Sequence, residues 1–385
     1  MKLAYYPGCS LDGSGVEYGL SVKRMAELLN VELCEIDDWN CCGATSAHNT
    51  DKLLSLALPA RNLAKAEKMG MDTLAPCAAC YNRFRHTEHT VRHDSEMRSK
   101  VEKAIDMEYQ AANETLSVLD LLTSKVGTDN IRSQVVKPLQ GMKAACYYGC
   151  LLVRPKEITG FDDEENPHTM DDIMQALGAE TIDWSHKTEC CGASLATSRP
   201  DVGGKMIYEI LRNASEAGAE CIVTACPLCM MNLDMRQAGT EKKFNTKFNI
   251  PVYYVTELLA IACGDSPQTV GTHRHFVEAV KYLENLSTAA ASPAETVREE
   301  AKTENGESDE ALQKKINALT IGFQKNPAKM AARLIAEEEK AAILVEIVSS
   351  DEKKLAKLAS LMATDNDKAA KAAQAYVAAE IKKRG

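Results

Sequence analysis

The chain has 385 residues with 45 Lys and Arg against 55 Asp and Glu, a formal net charge of -10, which argues against a nucleic-acid partner, since that would want a basic face. Its length accommodates two domains of ordinary size, each with its own core. No charged segment leads into an apolar stretch at the start, and the apolar run from Val252 to Cys263 is broken by Glu257 and too short to cross a bilayer. The sequence therefore reads as a soluble cytoplasmic protein whose 14 cysteines serve metal or redox chemistry rather than disulfide staples.

In chain order, Lys2-Leu3-Ala4-Tyr5-Tyr6 reads as a strand stopped by Pro7-Gly8, which leaves Cys9 just past its end. Leu20, Met25, Leu28 and Leu29 lie at helical spacing within Val16 to Leu29, with Asn30 as the stop. Val31 to Ile36 alternates as a strand before Cys41-Cys42-Gly43. A second helix runs from about Thr50 to Met69 with Gly70 as its C-terminal signal, and Asp72 to Ala75 forms a short strand before Pro76-Cys77. The second half repeats this order. A strand from Lys143 to Tyr148 leads through Gly149 to Cys150, and Asp171 to Leu177 is a helix closed by Gly178. Thr181 to Trp184 is a strand, Asp201 to Ala217 is a helix up to Gly218, and Cys221 to Ala225 is an apolar strand running into Cys226. Such alternation predicts α/β units with largely parallel sheets. The loops beyond the carboxyl ends of parallel strands converge on one edge, so cysteines about 70 positions apart can reach one cluster.

The character changes at Thr288. Residues 288 to 310 are rich in Glu, Ser, Thr and Asn, almost without large apolar side chains, and read as a flexible linker. Residues 311 to 385 form a helical tail, with candidate helices at about 311 to 321, 328 to 348, 351 to 362 and 366 to 383. Ser350-Asp351 makes a good N-cap for Leu355, Leu358, Leu361 and Met362.

Ten cysteines fall into two combs. Cys9, Cys41, Cys42, Cys77 and Cys80 form the first, and Cys150, Cys190, Cys191, Cys226 and Cys229 the second, with 34 residues between the adjacent pair and the Cys-x-x-Cys in both. Zinc ribbons also use Cys-x-x-Cys, yet tetrahedral zinc takes four ligands and each comb offers five, two of them on adjacent residues. A thioredoxin-type motif leaves three cysteines of each set idle. Burial as inert thiols suits Cys34, Cys221 and Cys263, and Cys146 as a buried strand residue, but not a doubled pattern. An iron–sulfur cluster fits better, because several irons give adjacent thiolates separate atoms to bind, and the spacing is not that of a ferredoxin loop.

The combs, the phrase Tyr5-Tyr6-Pro7-Gly8-Cys9, and Tyr148-Gly149-Cys150-Leu151-Leu152-Val153-Arg154-Pro155 followed by Phe161-Asp162-Asp163 and Asn166-Pro167 resemble the B subunit of heterodisulfide reductase over about residues 1 to 265. The resemblance implies two similar α/β CCG domains, 1–140 and 141–287, ahead of the linker and a tail without a family counterpart. It implies a noncubane [4Fe-4S] cluster on each comb, ligated by the five cysteines named for it, and cleavage of a disulfide lying between the clusters. That disulfide is CoM-S-S-CoB in methanogen members, or a related thiol disulfide. The implied immediate electron donor is a ferredoxin-like C subunit, and upstream of it stands a flavin-bearing A subunit; no GxGxxG after a strand supplies a nucleotide site within the chain.

Arg83, Arg85, His86, His89, Arg92 and His93 follow the first Cys-x-x-Cys on a predicted helix, read as a solvated or partner-facing basic surface. His86, His89 and His93 share one face, a weak candidate metal site because no carboxylate or cysteine nearby in sequence completes it. Arg83, Arg85 and Arg154 are alternative contacts for an anionic group on the substrate. The rival to disulfide chemistry is an electron relay docking to a dehydrogenase or quinone-linked partner, since CCG domains also resemble parts of lactate, glycolate and succinate oxidoreductases.

Overall fold

Short apolar runs bounded by glycine and proline become the central strands of two parallel sheets. In the computed structural model, residues 1–44 and 47–286 are described continuously, together with 323, 326–332, 334, 335, 337–350 and scattered positions between 354 and 381. The first sheet holds β1 (Lys2–Tyr5), β2 (Glu32–Glu35), β3 (Thr73–Leu74) and β4 (Thr115–Leu116) in the order β2-β1-β3-β4. The second holds β5 (Lys143–Tyr147), β6 (Glu180–Thr181), β7 (Cys221–Thr224) and β8 (Val252–Tyr254) in the equivalent order β6-β5-β7-β8. Every pairing is parallel. Parallel strands need crossovers, and helices provide them. These are α1 (Val16–Leu28), α2 (Lys52–Lys68), α3 (Ala78–His93) and α4 (Ser95–Ile105) in the first repeat, then α5 (Thr169–Ala176), α6 (Pro200–Glu216) and α7 (Gln237–Phe244) in the second, where α8 (Val255–Ala262) follows the last strand. The α/β expectation of two similar repeats with parallel sheets holds.

Each sheet has one more strand than its sequence suggests. β4 is two residues long, and β8 is the beginning of the apolar run from Val252 to Cys263, which divides into a buried strand and helix α8. The strand expected at 181–184 is only Glu180–Thr181, because Trp184 instead packs against the sheet and its Nε1 donates to the Cys146 carbonyl at 3.2 Å. The helix expected from Thr50 begins at Lys52, where Asp51 accepts the Leu54 N–H at 2.7 Å.

The two repeats form one compact unit, Met1–Ser292, and share a core. Their join runs along α1 and α8. The Tyr18 and Tyr254 rings stack with centroids 4.0 Å apart and planes 6° from parallel. Ser21 and Thr256 hydroxyls meet at 2.7 Å, and Arg24 grips Asp265 with two hydrogen bonds of 2.6 and 3.0 Å. The buried Tyr18 hydroxyl lies 3.2 Å from the Pro76 carbonyl and 3.1 Å from the Ala225 carbonyl, the residues immediately before Cys77 and Cys226. One hydroxyl thus ties together the ends of β3 and β7.

The second unit, Pro293–Gly385, has its own apolar cluster including Phe323, Met330, Leu334, Leu344, Val348 and Leu358. Its described helices are α9 (Pro327–Ala332) and α10 (Glu338–Ser350), so the single helix expected at 328–348 is interrupted where Leu334 and Ile335 turn into the cluster. The linker 288–310 and the helix expected at 311–321 lie outside the described residues, and those at 351–362 and 366–383 largely so. Among the described residues no helix is long and apolar enough to cross a membrane.

Replacing Tyr18 by Phe keeps the ring stack and removes the bridging hydroxyl. The expected result is a loss of roughly 1–3 kcal/mol in unfolding free energy, read as a lower chemical-denaturation midpoint. An unchanged midpoint would show that the two strand ends need no such tie.

Candidate functional site: two cysteine sets at facing sheet edges

In the order β2-β1-β3-β4 the chain leaves β1 to one side and returns to its other side, so the loops after β1 and β3 diverge and open a crevice at the carboxyl edge. Cys9 follows β1, Cys41 and Cys42 follow β2, and Cys77 and Cys80 lie at the start of α3 after β3. Cys150, Cys190, Cys191, Cys226 and Cys229 take the same places after β5, β6 and β7. The structure thus brings each predicted set of five to one sheet edge. All ten are free thiols: Cys42, Cys77, Cys80, Cys191, Cys226 and Cys229 are buried, Cys150 and Cys190 half-buried, and Cys9 and Cys41 exposed.

The sulfurs are close packed. Cys42 and Cys80 Sγ are 3.3 Å apart, and Cys191 interacts in the same way with Cys229 in the second repeat. Cys150 lies beside Cys190, and Cys77 beside Cys226, where the Tyr18 hydroxyl holds the strand ends of the two sets together.

The loops around them are built alike. The Tyr6 hydroxyl donates to the carbonyl of Asn40, the residue before Cys41, at 2.9 Å, and Tyr147 does the same to Glu189, before Cys190, at 2.6 Å. Both tyrosines stand three residues ahead of the first cysteine of their set, a periodicity visible in the sequence that cysteine counting passed over. Gly8 and Gly149 adopt φ of +64° and +65°, and a Cβ there would come within 3.4 Å of Cys80 Sγ and 3.2 Å of Cys229 Sγ. Gly43 and Gly192 donate their N–H groups to Cys41 and Cys190 Sγ, each at 3.4 Å. Buried Asn62 holds the Asn40 backbone through both amide ends, and buried Asn232 donates to the Cys191 carbonyl at 3.0 Å and to its Sγ at 3.4 Å. Asn62 is far from any cysteine in sequence, and Asn232, just past Cys229, acts on Cys191 in the other pair, so only the fold reveals their roles.

Crowding drives the thiol titrations apart. Hydrogen bonds from Cys41 and Cys80 hold Cys42 well below the usual thiol range, Cys229 and Cys77 do the same for Cys226, and Cys150 brings Cys190 down to about 6. Their partners Cys80, Cys229 and Cys150 are pushed up. Each set therefore contains sulfur poised as thiolate, the form that ligates metal. Among the described residues no three His, Cys, Asp or Glu side chains converge on a single-ion position. The sulfurs instead cluster in pairs, a donor set that fits a multi-iron cluster, whose several irons would give adjacent thiolates separate atoms to bind.

The basic helix agrees with the sequence reading in part. One face of α3 is buried, while His89, Arg92 and His93 are exposed and Arg83, Arg85 and His86 half-buried. Arg85 bonds the Ile158 carbonyl at 3.2 Å and pairs with Glu88 and Glu114, while Arg92 bonds the Ala111 and Asn113 carbonyls. Arg154 bonds the Glu164 carbonyl, Glu165 and the Thr188 hydroxyl, fixing the loop before Cys190. Arg83 is half-buried beside Cys42 and donates to Asn82 Oδ1 at 3.3 Å. The histidines make no metal site: His86 bonds Thr90, and the His89 and His93 rings lie 4.3 Å apart. Cys146 and Cys221 are buried as expected, whereas Cys34 and Cys263 are half-exposed, Cys34 because β2 is an edge strand.

Gly43 has φ of +73°, and a Cβ would stand 2.8 Å from both Ala47 Cβ and Leu58 Cδ1. Gly70 has φ of +68° with open space around it. Gly70→Ala is expected to cost roughly 1–2 kcal/mol of stability from backbone strain alone, and Gly43→Ala distinctly more, measured by denaturant unfolding. Equal costs would show that the Cys41-Cys42 loop is not held against α2.

Comparison with known proteins agrees with this architecture. The CCG family, described as a cysteine-rich domain, matches residues 3–85 and 144–234, one segment in each repeat. The 8-methylmenaquinol:fumarate reductase membrane anchor subunit of Wolinella succinogenes is 33% identical over 283 residues, 73% of this chain and 98% of that protein. The B subunit of ferredoxin:CoB-CoM heterodisulfide reductase from Methanosarcina mazei is 29% identical over 296 residues, 75% of this chain and 98% of that protein. Lactate utilization protein A of Macrococcus caseolyticus is 22% identical over 63% of this chain and 93% of its own. A hypothetical protein from Helicobacter pylori shares the fold with a TM-score of 0.58 at 12% identity, over 72% of this chain and 52% of that one. With two cysteine combs on two parallel sheets and relatives of this kind along nearly their whole length, the chain belongs to the CCG cysteine-rich family that includes the B subunit of heterodisulfide reductase.

Proposed function

We propose that the chain is an oxidoreductase electron-transfer subunit that reduces a disulfide to two thiols, as the B subunit of a heterodisulfide reductase-like complex. The observation that carries the reading is the junction of two complete cysteine sets, where the Tyr18 hydroxyl meets the carbonyls immediately before Cys77 and Cys226. Cys9, Cys41, Cys42, Cys77 and Cys80 are assigned to one noncubane [4Fe-4S] cluster, and Cys150, Cys190, Cys191, Cys226 and Cys229 to the other. Bound there, the clusters supply two one-electron stores side by side. The reaction joins a disulfide with two electrons and two protons to give two thiols, so adjacent one-electron stores match its stoichiometry.

The protein's own side chains set the conditions. Tyr6 and Tyr147 anchor the paired-cysteine loops, and their burial keeps both phenols protonated as donors. Tyr18 fixes the ends of β3 and β7, and with them the separation of the two sets. The exposed Cys9 and Cys41 mark the side from which solvent reaches the first set. Electrons come from outside the chain. The donors we assign are a ferredoxin-like C subunit, then a flavin-bearing A subunit, an assignment supported by relatives that are themselves named as parts of complexes. The substrate is CoM-S-S-CoB or a related thiol disulfide.

A second reading, an electron relay to a quinol-linked partner, is favoured by the relative named as an 8-methylmenaquinol:fumarate reductase subunit. The two separate by adding thiols to the anaerobic, oxidised protein and recording the paramagnetic spectrum. Disulfide chemistry is expected to give a thiol-dependent signal that Cys41→Ser and Cys190→Ser lose. A spectrum indifferent to thiols would favour the relay.

A further inference from the structure

The second repeat holds a cavity that the disulfide chemistry does not use. It is about 290 Å³, with apolar walls of Ala196, Pro200, Ile207 and Met235, and the cations Arg236 and Lys243 both line it. No Asp or Glu is among its lining residues. Among the described residues neither cation is hydrogen-bonded to a carboxylate. Arg236 donates from Nε to Asn232 Oδ1 at 3.2 Å and from Nη2 to the Thr197 hydroxyl at 2.9 Å, and Lys243 Nζ donates to the Asp201 carbonyl at 3.2 Å. Arg236 Nη1 has no partner among the described residues and is not sealed from the surface. The carboxylates nearest in sequence are committed elsewhere: Asp201 to Arg199, Glu241 to the Phe248 and Asn249 N–H groups, and Asp234 to the Phe276 and Val277 N–H groups.

Two cations in one cavity without a counterion repel each other and favour a bound anion. The ligand class follows from their number and shape. A phosphate group carries a charge of about -1.5 to -2 at pH 7 and several strong acceptor oxygens, so it matches two cations better than a monoanion does. The planar guanidinium fork of Arg236 suits it in particular. The chain's net charge of -10 disfavours a polyanion in its place. Nor does the fold require a cation at this point, since the residue seven positions past the other Cys-x-x-Cys is Thr87.

A line of hydrogen bonds joins this cavity to the second cysteine set. Arg236 holds Asn232 Oδ1, and buried Asn232 donates from Nδ2 to the Cys191 carbonyl at 3.0 Å and to Cys191 Sγ at 3.4 Å. A cation on the oxygen of an amide polarises its N–H groups into stronger donors. An anion on Arg236 offsets that charge and weakens the donation to sulfur, which makes an added electron at the second set less favourable. We propose that the cavity binds a phosphate dianion through Arg236 and Lys243, and that its occupancy lowers the reduction potential at the second cysteine set through Asn232. The shift in potential rests on the cluster assignment made above, whereas the binding does not.

The test is equilibrium dialysis of radiolabelled inorganic phosphate, at fixed ionic strength, against the full chain purified anaerobically with its clusters. One saturable equivalent is expected, displaced by sulfate and not by chloride. Arg236→Gln and Gly204→Glu are each expected to weaken it at least about tenfold. At Gly204 a Cβ meets only the Lys243 side chain, at 3.6 and 3.9 Å, so the new carboxylate takes the place of the phosphate without disturbing the core. Lys242→Gln, beside Lys243 in sequence but outside the lining, is expected to leave binding unchanged. Saturating phosphate is expected to lower one of the two midpoint potentials by about tenfold in the reduction equilibrium, about 59 mV for one electron, and to lose that effect in Arg236→Gln. Absence of saturable binding, equal loss in Lys242→Gln, or potentials indifferent to saturating phosphate would overturn the proposal. Iron content measured on the same samples separates failure of this site from failure of the cysteine assignment.

Discussion

The structure depends on one constraint: two parallel sheets must present their carboxyl edges to each other at fixed register. Parallel order 2-1-3-4 gathers the loops of each sheet, but nothing within a single repeat brings its cysteines against those of the other. That work falls to a short buried contact. Tyr18 stacks on Tyr254, and its hydroxyl reaches the carbonyls before Cys77 and Cys226, so the ring that joins the helices also sets the strand ends. Without it the Ser21–Thr256 and Arg24–Asp265 contacts would still hold α1 to α8, but less close to the sulfur sites. Aromatic stacking in a buried join is well suited to such a task, since it adds direction to the burial of apolar area.

The second consequence is electrostatic. Packing ten free thiols at two adjoining edges leaves their protons unevenly shared, with Cys42, Cys226 and Cys190 favouring the thiolate and Cys80, Cys229 and Cys150 the thiol. Backbone N–H groups of Gly43, Gly192 and Ala193 already point at sulfur, so part of the stabilisation of the charged form is built into the loops.

Much of this was legible in the sequence because cysteine, glycine and proline punctuate it so strongly. The combs, the Pro7-Gly8 and Gly149 strand stops and the helix-ending Gly70 and Gly178 all fall where the fold puts them. β4 and β8 were not legible: Thr115–Leu116 is too short to carry a period, and Val252–Tyr254 is apolar on both faces, so it merges with the helix that follows. The basic run on α3 was legible as charge but not as contact. Charge along a sequence does not show that Arg85 and the exposed Arg92 reach loop carbonyls. Tyr18, Asn62, Asn232 and Tyr254 act through contacts tens or hundreds of residues away, which no local pattern encodes.

The central claim is that the ten thiols gather iron into two centres held against each other. Its most direct measurement is the iron, zinc and acid-labile sulfide content of the anaerobically purified chain. Two four-iron clusters require about eight irons and a comparable amount of sulfide per chain. Zinc without sulfide, or cysteines that remain titratable as free thiols after iron and sulfide reconstitution, would contradict it.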